Sequence, residues 1–242
     1  FWFEIGGFRV SSNTDLILSG TTPGDDVNFE RDLDVPNNTT QAYIEVFHRP
    51  WNRHQFSLNW TRVRRDGSQV TLEDDIQWGD ATFPVGVQAS ATMDTDFLSG
   101  AYRWSVYKND TFEIGPALGF GYIWIDASIT GQVAVGDELS GARTVTGSVG
   151  SITGDIGGFF YWWPGRRWMA RGDLRYIAVG FDTGDASVTE GRASLTWYPW
   201  GQFGVGLQYS YTRLEYARDT IVTELGGVIQ YDGLQIMASV AF

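Results

Sequence analysis

Apolar and polar residues alternate along most of this chain, and the alternation is cleanest at its end. Leu234, Ile236, Ala238, Val240 and Phe242 share one face, with Gly233, Gln235, Met237, Ser239 and Ala241 on the other. Successive strand side chains point to opposite sides, so the pattern predicts a strand with one apolar face and one small or polar face. It recurs at Phe203, Val205, Leu207, Tyr209 and Tyr211, and at every even position from Phe112 to Trp124. Turn signals divide the chain into ten predicted strands, at about 2–18, 39–51, 54–66, 88–107, 111–132, 142–163, 167–180, 186–199, 203–217 and 221–242. The connections alternate in kind. Four are short, containing Pro50-Trp51-Asn52, Lys108-Asn109-Asp110, Pro164-Gly165-Arg166 and Pro199-Trp200-Gly201. On the opposite side lie two long acidic segments, near positions 19–38 and 67–87. Short turns at one rim and long loops at the other are the pattern of a transmembrane barrel of the bacterial outer membrane.

A lipocalin-like barrel or a β-sandwich would instead bury the apolar face. Two features argue against that. Bulky aromatics stand where each strand meets its short turn: Phe56, Trp104, Phe112, Trp162, Trp168, Trp197, Phe203 and Phe242. Such a girdle suits a lipid interface. The opposite face carries charge in mid-strand, which a soluble barrel would bury at a cost of several kcal/mol per unpaired ion. The expected fold is therefore all-β: a single domain over residues 1–242, forming a closed antiparallel transmembrane β-barrel of about ten strands with short periplasmic turns and longer extracellular loops. Closure is required because lipid offers no partner to an open strand edge.

Composition narrows the function. The chain has 11 Trp, 11 Tyr and 15 Phe yet a mean hydropathy of −0.19, so large apolar groups are interleaved with polar ones rather than gathered into runs. No stretch of 18 apolar residues exists to form a transmembrane helix. The absence of Cys excludes disulfides and thiolate metal sites. A formal charge of −12 argues against nucleic acid as a partner. No signal peptide precedes the first strand, and a processed or trimmed N-terminus is expected.

The face opposite the apolar one is the expected lumen. Its charges are Glu45, Arg49, Arg103, Glu113, Asp155, Arg171, Asp173, Arg175, Glu190 and Arg192, joined by Glu4 and Arg9 if a bulge at Gly6-Gly7 resets the phase of the first strand. Six acids then face six arginines. Arginine's planar fork can hold two carboxylates, so the set reads either as a salt-bridged plug or as a charged constriction in an ion or solute path.

The excess negative charge falls in the loops. Asp25, Asp26, Glu30, Asp32, Glu73, Asp74, Asp75 and Asp80 are candidate contacts for a divalent cation or a partner, although their spacing matches no calcium-loop pattern. Val27–Val35 and Val70–Trp78 resemble each other and read as amphipathic strand extensions. They either fold an apolar face of Phe29, Leu33, Leu72, Ile76 and Trp78 over the barrel mouth or stand as independent hairpin walls.

Catalytic signals are weak. The histidines, His48 and His54, flank the short turn around Pro50, at the rim opposite the long loops, and no Ser or Thr has an evident base beside it. A non-enzymatic barrel without metal or cofactor is expected.

The terminal strand ending in Phe242, entered through Tyr231-Asp232-Gly233, resembles the C-terminal assembly signal of outer-membrane barrels. Asn28–Leu33, Asp75–Gly86 and Tyr198–Gly206 resemble segments of a proteobacterial group of outer-membrane β-barrel proteins, to which no common activity attaches. Similarity to the outer-membrane protein W family is looser, since those barrels have eight strands. The omptin proteases have ten, but their catalytic Asp and His positions have no counterparts here. The resemblance implies outer-membrane lipid, lipopolysaccharide and the barrel-assembly machinery as partners in a Gram-negative bacterium. The expected role is structural or interactive, with a narrow pore for small or hydrophobic solutes as the alternative.

Overall fold

The computed structural model describes residues 1–20, 22–135, 138–181, 184–217 and 224–241. Ten long strands build the wall: β1 (Trp2–Ser19), β2 (Asn38–Trp51), β3 (His54–Asp66), β4 (Gln88–Trp104), β5 (Phe112–Val135), β6 (Glu138–Gly165), β7 (Trp168–Phe181), β8 (Gly184–Trp197), β9 (Phe203–Ala217) and β10 (Glu224–Ala241). Each pairs antiparallel with its chain neighbours. Pairing of β1 with β10, from Trp2↔Ala241 to Ser19↔Glu224, closes the barrel. The expected fold is the observed one, and strand ends fall within a few residues of the alternation-derived positions. Phe242 lies outside the described residues.

The apolar faces point outward. On β5 the even positions from Ile114 to Trp124 are largely exposed, with Phe120 at 66%. Phe112 to Trp124 rises about 40 Å along the strand, or about 28 Å across the membrane at a tilt near 45°, which matches the height of a lipid-facing band. Trp104, Trp162, Trp168, Trp197 and Phe203 ring the short-turn rim and Trp60, Tyr122, Trp124 and Tyr176 the far edge. No helix of the described residues is long or apolar enough to cross a membrane.

Beyond Trp124 the faces exchange character. Asp126, Ser128 and Thr130 stay on the outer side of β5, where Asp126 accepts a hydrogen bond from Ser148 at 2.5 Å and Thr130 meets Thr144 at 2.8 Å. Inside, Ile125, Ala127, Ile129 and Val133 are buried. The barrel therefore continues past the lipid as a water-exposed cylinder with an apolar interior.

The two long loops fill that interior. The second contributes the short strands Ile76–Trp78 and Ala81–Phe83, paired as a hairpin. The first departs from the expected strand extension: after a short strand at Asp26–Asn28 it turns into one helical turn, α1 (Phe29–Asp32), capped by the Asn28 side chain, which accepts from Arg31 N at 2.7 Å. A helical turn lets Phe29 and Leu33, four residues apart, point the same way. Phe29, Leu33, Leu72, Ile76 and Trp78 all join one buried cluster with Ile125, Ala127 and Ile129, and the Phe29 and Trp78 rings meet edge-on at 5.5 Å. The loops touch directly, Asp25 accepting from Gln77 N at 2.7 Å. Folding over the mouth, rather than standing as separate walls, is what the structure adopts.

The expected bulge at Gly6-Gly7 is absent. Pairing of β1 is unbroken on both sides, so even positions face inward throughout, from Glu4 through Val10 to Leu18. Arg9 is exposed on the outer face. Two residues on, Ser11 pairs with Asp232, whose carboxylate accepts from the Tyr209 hydroxyl at 3.3 Å. A long guanidinium side chain at such a polar boundary reaches water without entering the lumen.

Candidate functional site in the lumen

The interior is layered. Nearest the periplasmic rim lies an aromatic floor: Trp2 stacks on Phe47 at 4.2 Å and meets Tyr161 edge-on at 5.9 Å, with Phe159 and Trp163 packed on Tyr161. Inward-facing positions at the start of β1 and beside the short turns of β2 and β6 supply it.

Next comes the charge layer. Glu45 on β2 is its hub, completely buried, with Arg192 at 3.0 Å, Arg171 at 3.4 Å, Arg103 at 4.0 Å and the Tyr43 hydroxyl donating to it. Arg171 also reaches Glu4 at 3.1 Å and donates to Gln208 at 2.7 Å. Arg103 grips Asp173 at 2.7 Å, and both Arg103 and Arg171 lie over the Phe47 ring, at 5.7 and 5.0 Å. Arg175 bridges Asp155 at 3.2 Å and Glu190 at 2.5 Å, and Arg192 closes the chain on Glu190 at 3.2 Å. At the rim Glu113 takes Arg49 at 2.7 Å and Lys108 at 3.7 Å. Burial, with Arg49 nearby, holds the Lys108 ammonium below its ordinary pKa.

Eleven of the twelve residues expected in the lumen are thus brought together; Arg9 is the exception, and Lys108 takes its place in the tally. Six acids still face six bases. The ions around Glu45 are deprived of water, so a partner lost there would leave an uncompensated buried charge.

Above the charges lies a chamber of about 70 Å³, with Asn59, Gln208, Gln235 and Arg192 on one side and Val63, Phe97, Ile123 and Leu214 on the other. The apolar cap closes over it. One ion pair missed at the sequence level ties cap to wall: the completely buried Arg65 guanidinium of β3 pairs with Glu30 of α1, donates to Ser12 at 2.9 Å and Thr14 at 2.7 Å, and lies over the Tyr231 ring. Arg65 continues the inward phase of Ser57, Asn59, Thr61 and Val63, so the alternation did contain the signal.

Glu30 therefore belongs to the lumen and not to the loop surface. Asp32 turns back on its own helix, accepting from Asn28 N at 2.9 Å and Arg31 at 2.6 Å. Asp25 and Asp75 accept from the backbone of Gln77 and Val85. Asp26, Glu73, Asp74 and Asp80 are exposed. Among the described residues no three His, Asp or Glu side chains gather as a metal ion would require. His48 is exposed and stacked on Phe1, and His54 lies 2.6 Å from the Tyr102 hydroxyl; both sit at the periplasmic rim.

No family model matches the sequence, and no curated protein matches it. Solved structures do match in fold. The outer membrane protease OmpT from Escherichia coli is 10% identical with a TM-score of 0.60, over 100% of this chain and 96% of that one. The toluene transporter TodX of Pseudomonas putida (7% identical, 100% and 89% covered, TM-score 0.37) and a FadL homologue of Pseudomonas aeruginosa (9%, 98% and 89%, 0.34) are more distant. This is the fold of an outer-membrane β-barrel. The expectation of a non-enzymatic protein is corrected by the first of these: the architecture that overlays the whole chain is one that carries a protease, so the barrel form gives no ground for excluding catalysis.

Proposed function

We propose that this protein is an integral barrel of the Gram-negative outer membrane whose lumen is plugged along its axis, and whose folded, acidic cap is the surface that meets partners outside the cell. The observation that carries the reading is the charge layer. Glu4, Glu45, Glu113 and Arg103 are completely buried, and Arg171, Asp173, Arg175 and Arg192 nearly so. An ion crossing this layer would have to displace an arginine from its carboxylates in a dry interior. The aromatic floor below and the apolar cap above add two further barriers.

Outside, Asp25, Asp26, Glu73 and Asp74 make the cap acidic, which favours a cationic partner by long-range attraction. Outer-membrane lipid and lipopolysaccharide would surround the band between the aromatic girdles. The likeness of the C-terminal segment to an assembly signal supports the barrel-assembly machinery as the partner in biogenesis.

Conductance in planar bilayers tests the plug. The protein is expected to insert without stable current steps, and the double variant Arg103→Ala, Arg171→Ala, if it folds, to pass measurable current. Stable steps from the unaltered protein would overturn the plugged reading and favour a narrow pore.

A further inference from the structure

A groove crosses the outer face of the wall over β5, β6 and β7, within the lipid-facing belt. It encloses about 640 Å³, and Pro116, Ile156, Phe160, Leu174 and Tyr176 stand around Gly158. Gly158 pairs with Pro116 on one side and Leu174 on the other, and its missing side chain opens the floor. Nothing in the fold demands that opening. Pairing at Gly158 is regular on both sides, its φ is not positive, and a Cβ there would meet only the Gly115 carbonyl oxygen at an ordinary 3.6 Å. The neighbouring Gly172 is different, since the Phe160 ring lies across it and would clash with any side chain. Glycine inside a strand weakens it, and with no bulge or bend to explain it, it marks the close approach of another molecule.

At the periplasmic end of the same two strands is the turn from β6 to β7, where Arg166 and Arg167 are exposed. The four short turns, at 50–53, 108–111, 164–167 and 199–202, carry four bases and one acid in a chain of net charge −12. Two of those bases are engaged: Lys108 donates to the backbone and side-chain oxygens of Asn52 at 2.8 and 2.9 Å, and Arg53 to the Val106 carbonyl at 3.3 Å. Arg166 and Arg167 have no such side-chain acceptor among the described residues, which leaves both guanidinium forks to an outside anion. Trp162 and Trp168, nearly half exposed, stand between this turn and the groove, at the level where indoles meet lipid headgroups. Six residues separate Phe160 from Arg166, about 20 Å along a strand and about 14 Å of depth at a tilt near 45°, which is within one leaflet. At about 30 Å³ for each group the size of a water or a methylene, the groove takes about twenty heavy atoms, the size of one acyl chain.

We propose that β6 and β7 seat one anionic phospholipid of the periplasmic leaflet, its phosphate on Arg166 and Arg167 and one acyl chain over Gly158. Tails are as apolar outside the groove as within it, so the groove contributes close packing and the arginines contribute selectivity. The seat lies outside the wall; it rests on the membrane setting and not on the plug.

Native mass spectrometry of protein released from detergent micelles reads the retained lipid, once heat-dependent gel migration has checked folding. Offered equal phosphatidylglycerol and phosphatidylcholine with matched chains, the protein is expected to keep one phosphatidylglycerol with about a tenfold preference. The double variant Arg166→Gln, Arg167→Gln should lose that preference, and Arg53→Gln, at another short turn, should keep it. Gly158→Leu, which fills the floor, should lower retention of both lipids severalfold; if it does not fold, Gly158→Val is the smaller obstruction. Equal retention of the two lipids by the unaltered protein overturns the seat, as does a preference that survives loss of both arginines. Retention unchanged by filling Gly158 overturns the placement of the acyl chain. A lipid-free dimer would assign the groove to a second copy of the chain instead. Failure to enter phosphatidylcholine vesicles would overturn the membrane setting itself.

Discussion

The two halves of the barrel interior solve the same problem with opposite chemistry. Toward the periplasm the wall stands in lipid: its outer positions are apolar, and the lumen is filled by paired ions around Glu45. Toward the cell surface the wall stands in water: its outer positions are polar, and the lumen is filled by Phe29, Leu33, Trp78 and Ile129. A strand whose faces alternate can present only one of them to each environment, so the solvent outside dictates what is left within. β5 makes the exchange along its own length: its outer face passes from Trp124, 53% exposed, to Asp126, Ser128 and Thr130. Where water surrounds the cylinder, hydrophobic burial stabilises the interior as in any soluble protein. Where lipid surrounds it, burying apolar groups inside gains little, and paired charges fix the strands in register instead.

Removing the hub of the ionic half should have the largest effect. Glu45→Leu leaves Arg103, Arg171 and Arg192 facing one another without their shared carboxylate, a loss of about 3–5 kcal/mol of unfolding free energy. Urea titration of refolded protein measures it. A second substitution, Arg192→Leu, should return part of the loss, because it removes one of the stranded cations. A loss below about 1 kcal/mol for Glu45→Leu, as for a solvent-screened pair, would mean that water reaches this layer and that the two halves differ less than their packing implies.

In the apolar half, Trp78→Ala removes a completely buried indole, worth about 3 kcal/mol at the low end for such truncations. Its loss should fall on the cap alone. Protease cleavage within residues 67–87 is expected to accelerate while the barrel keeps its heat-dependent migration. Coupled loss of both would show that cap and barrel fold as one unit.

Much of this division could be read in the sequence, because lipid enforces a strict period of two over the membrane band. The ten strands and eleven of twelve lumen charges follow from that period. Arg9 departs from it because a charged side chain does not by itself mark the lumen: unbroken pairing keeps it on the outer face, and an arginine at a polar boundary needs no bulge. Arg65 shows the converse: Thr61 and Val63 set its direction inward, and phase alone places it in the lumen. The helical turn at Phe29–Asp32 was hidden because alternating apolar residues over so short a stretch suit strand and helix alike.

The smallest effect is expected on the outer wall, just past the girdle. Arg62 and Arg64 of β3 face Asp96 and Asp94 of β4 at 3.4 and 3.5 Å, with side chains between 34% and 57% exposed. These are the same residue types as in the lumen, but here each ion keeps much of its hydration. Arg62→Ala should therefore cost about 0.2–1 kcal/mol, and the difference should shrink as salt is raised. The Glu45→Leu loss should be far less sensitive to salt, since its ions lie beyond the reach of the solvent. Measuring both variants at low and high ionic strength places the water boundary independently of the aromatic residues. A loss at Arg62 as large and as salt-independent as that at Glu45 would put this outer pair inside the low-dielectric zone, and would move the edge of the lipid belt from Trp60 to a level above Arg64.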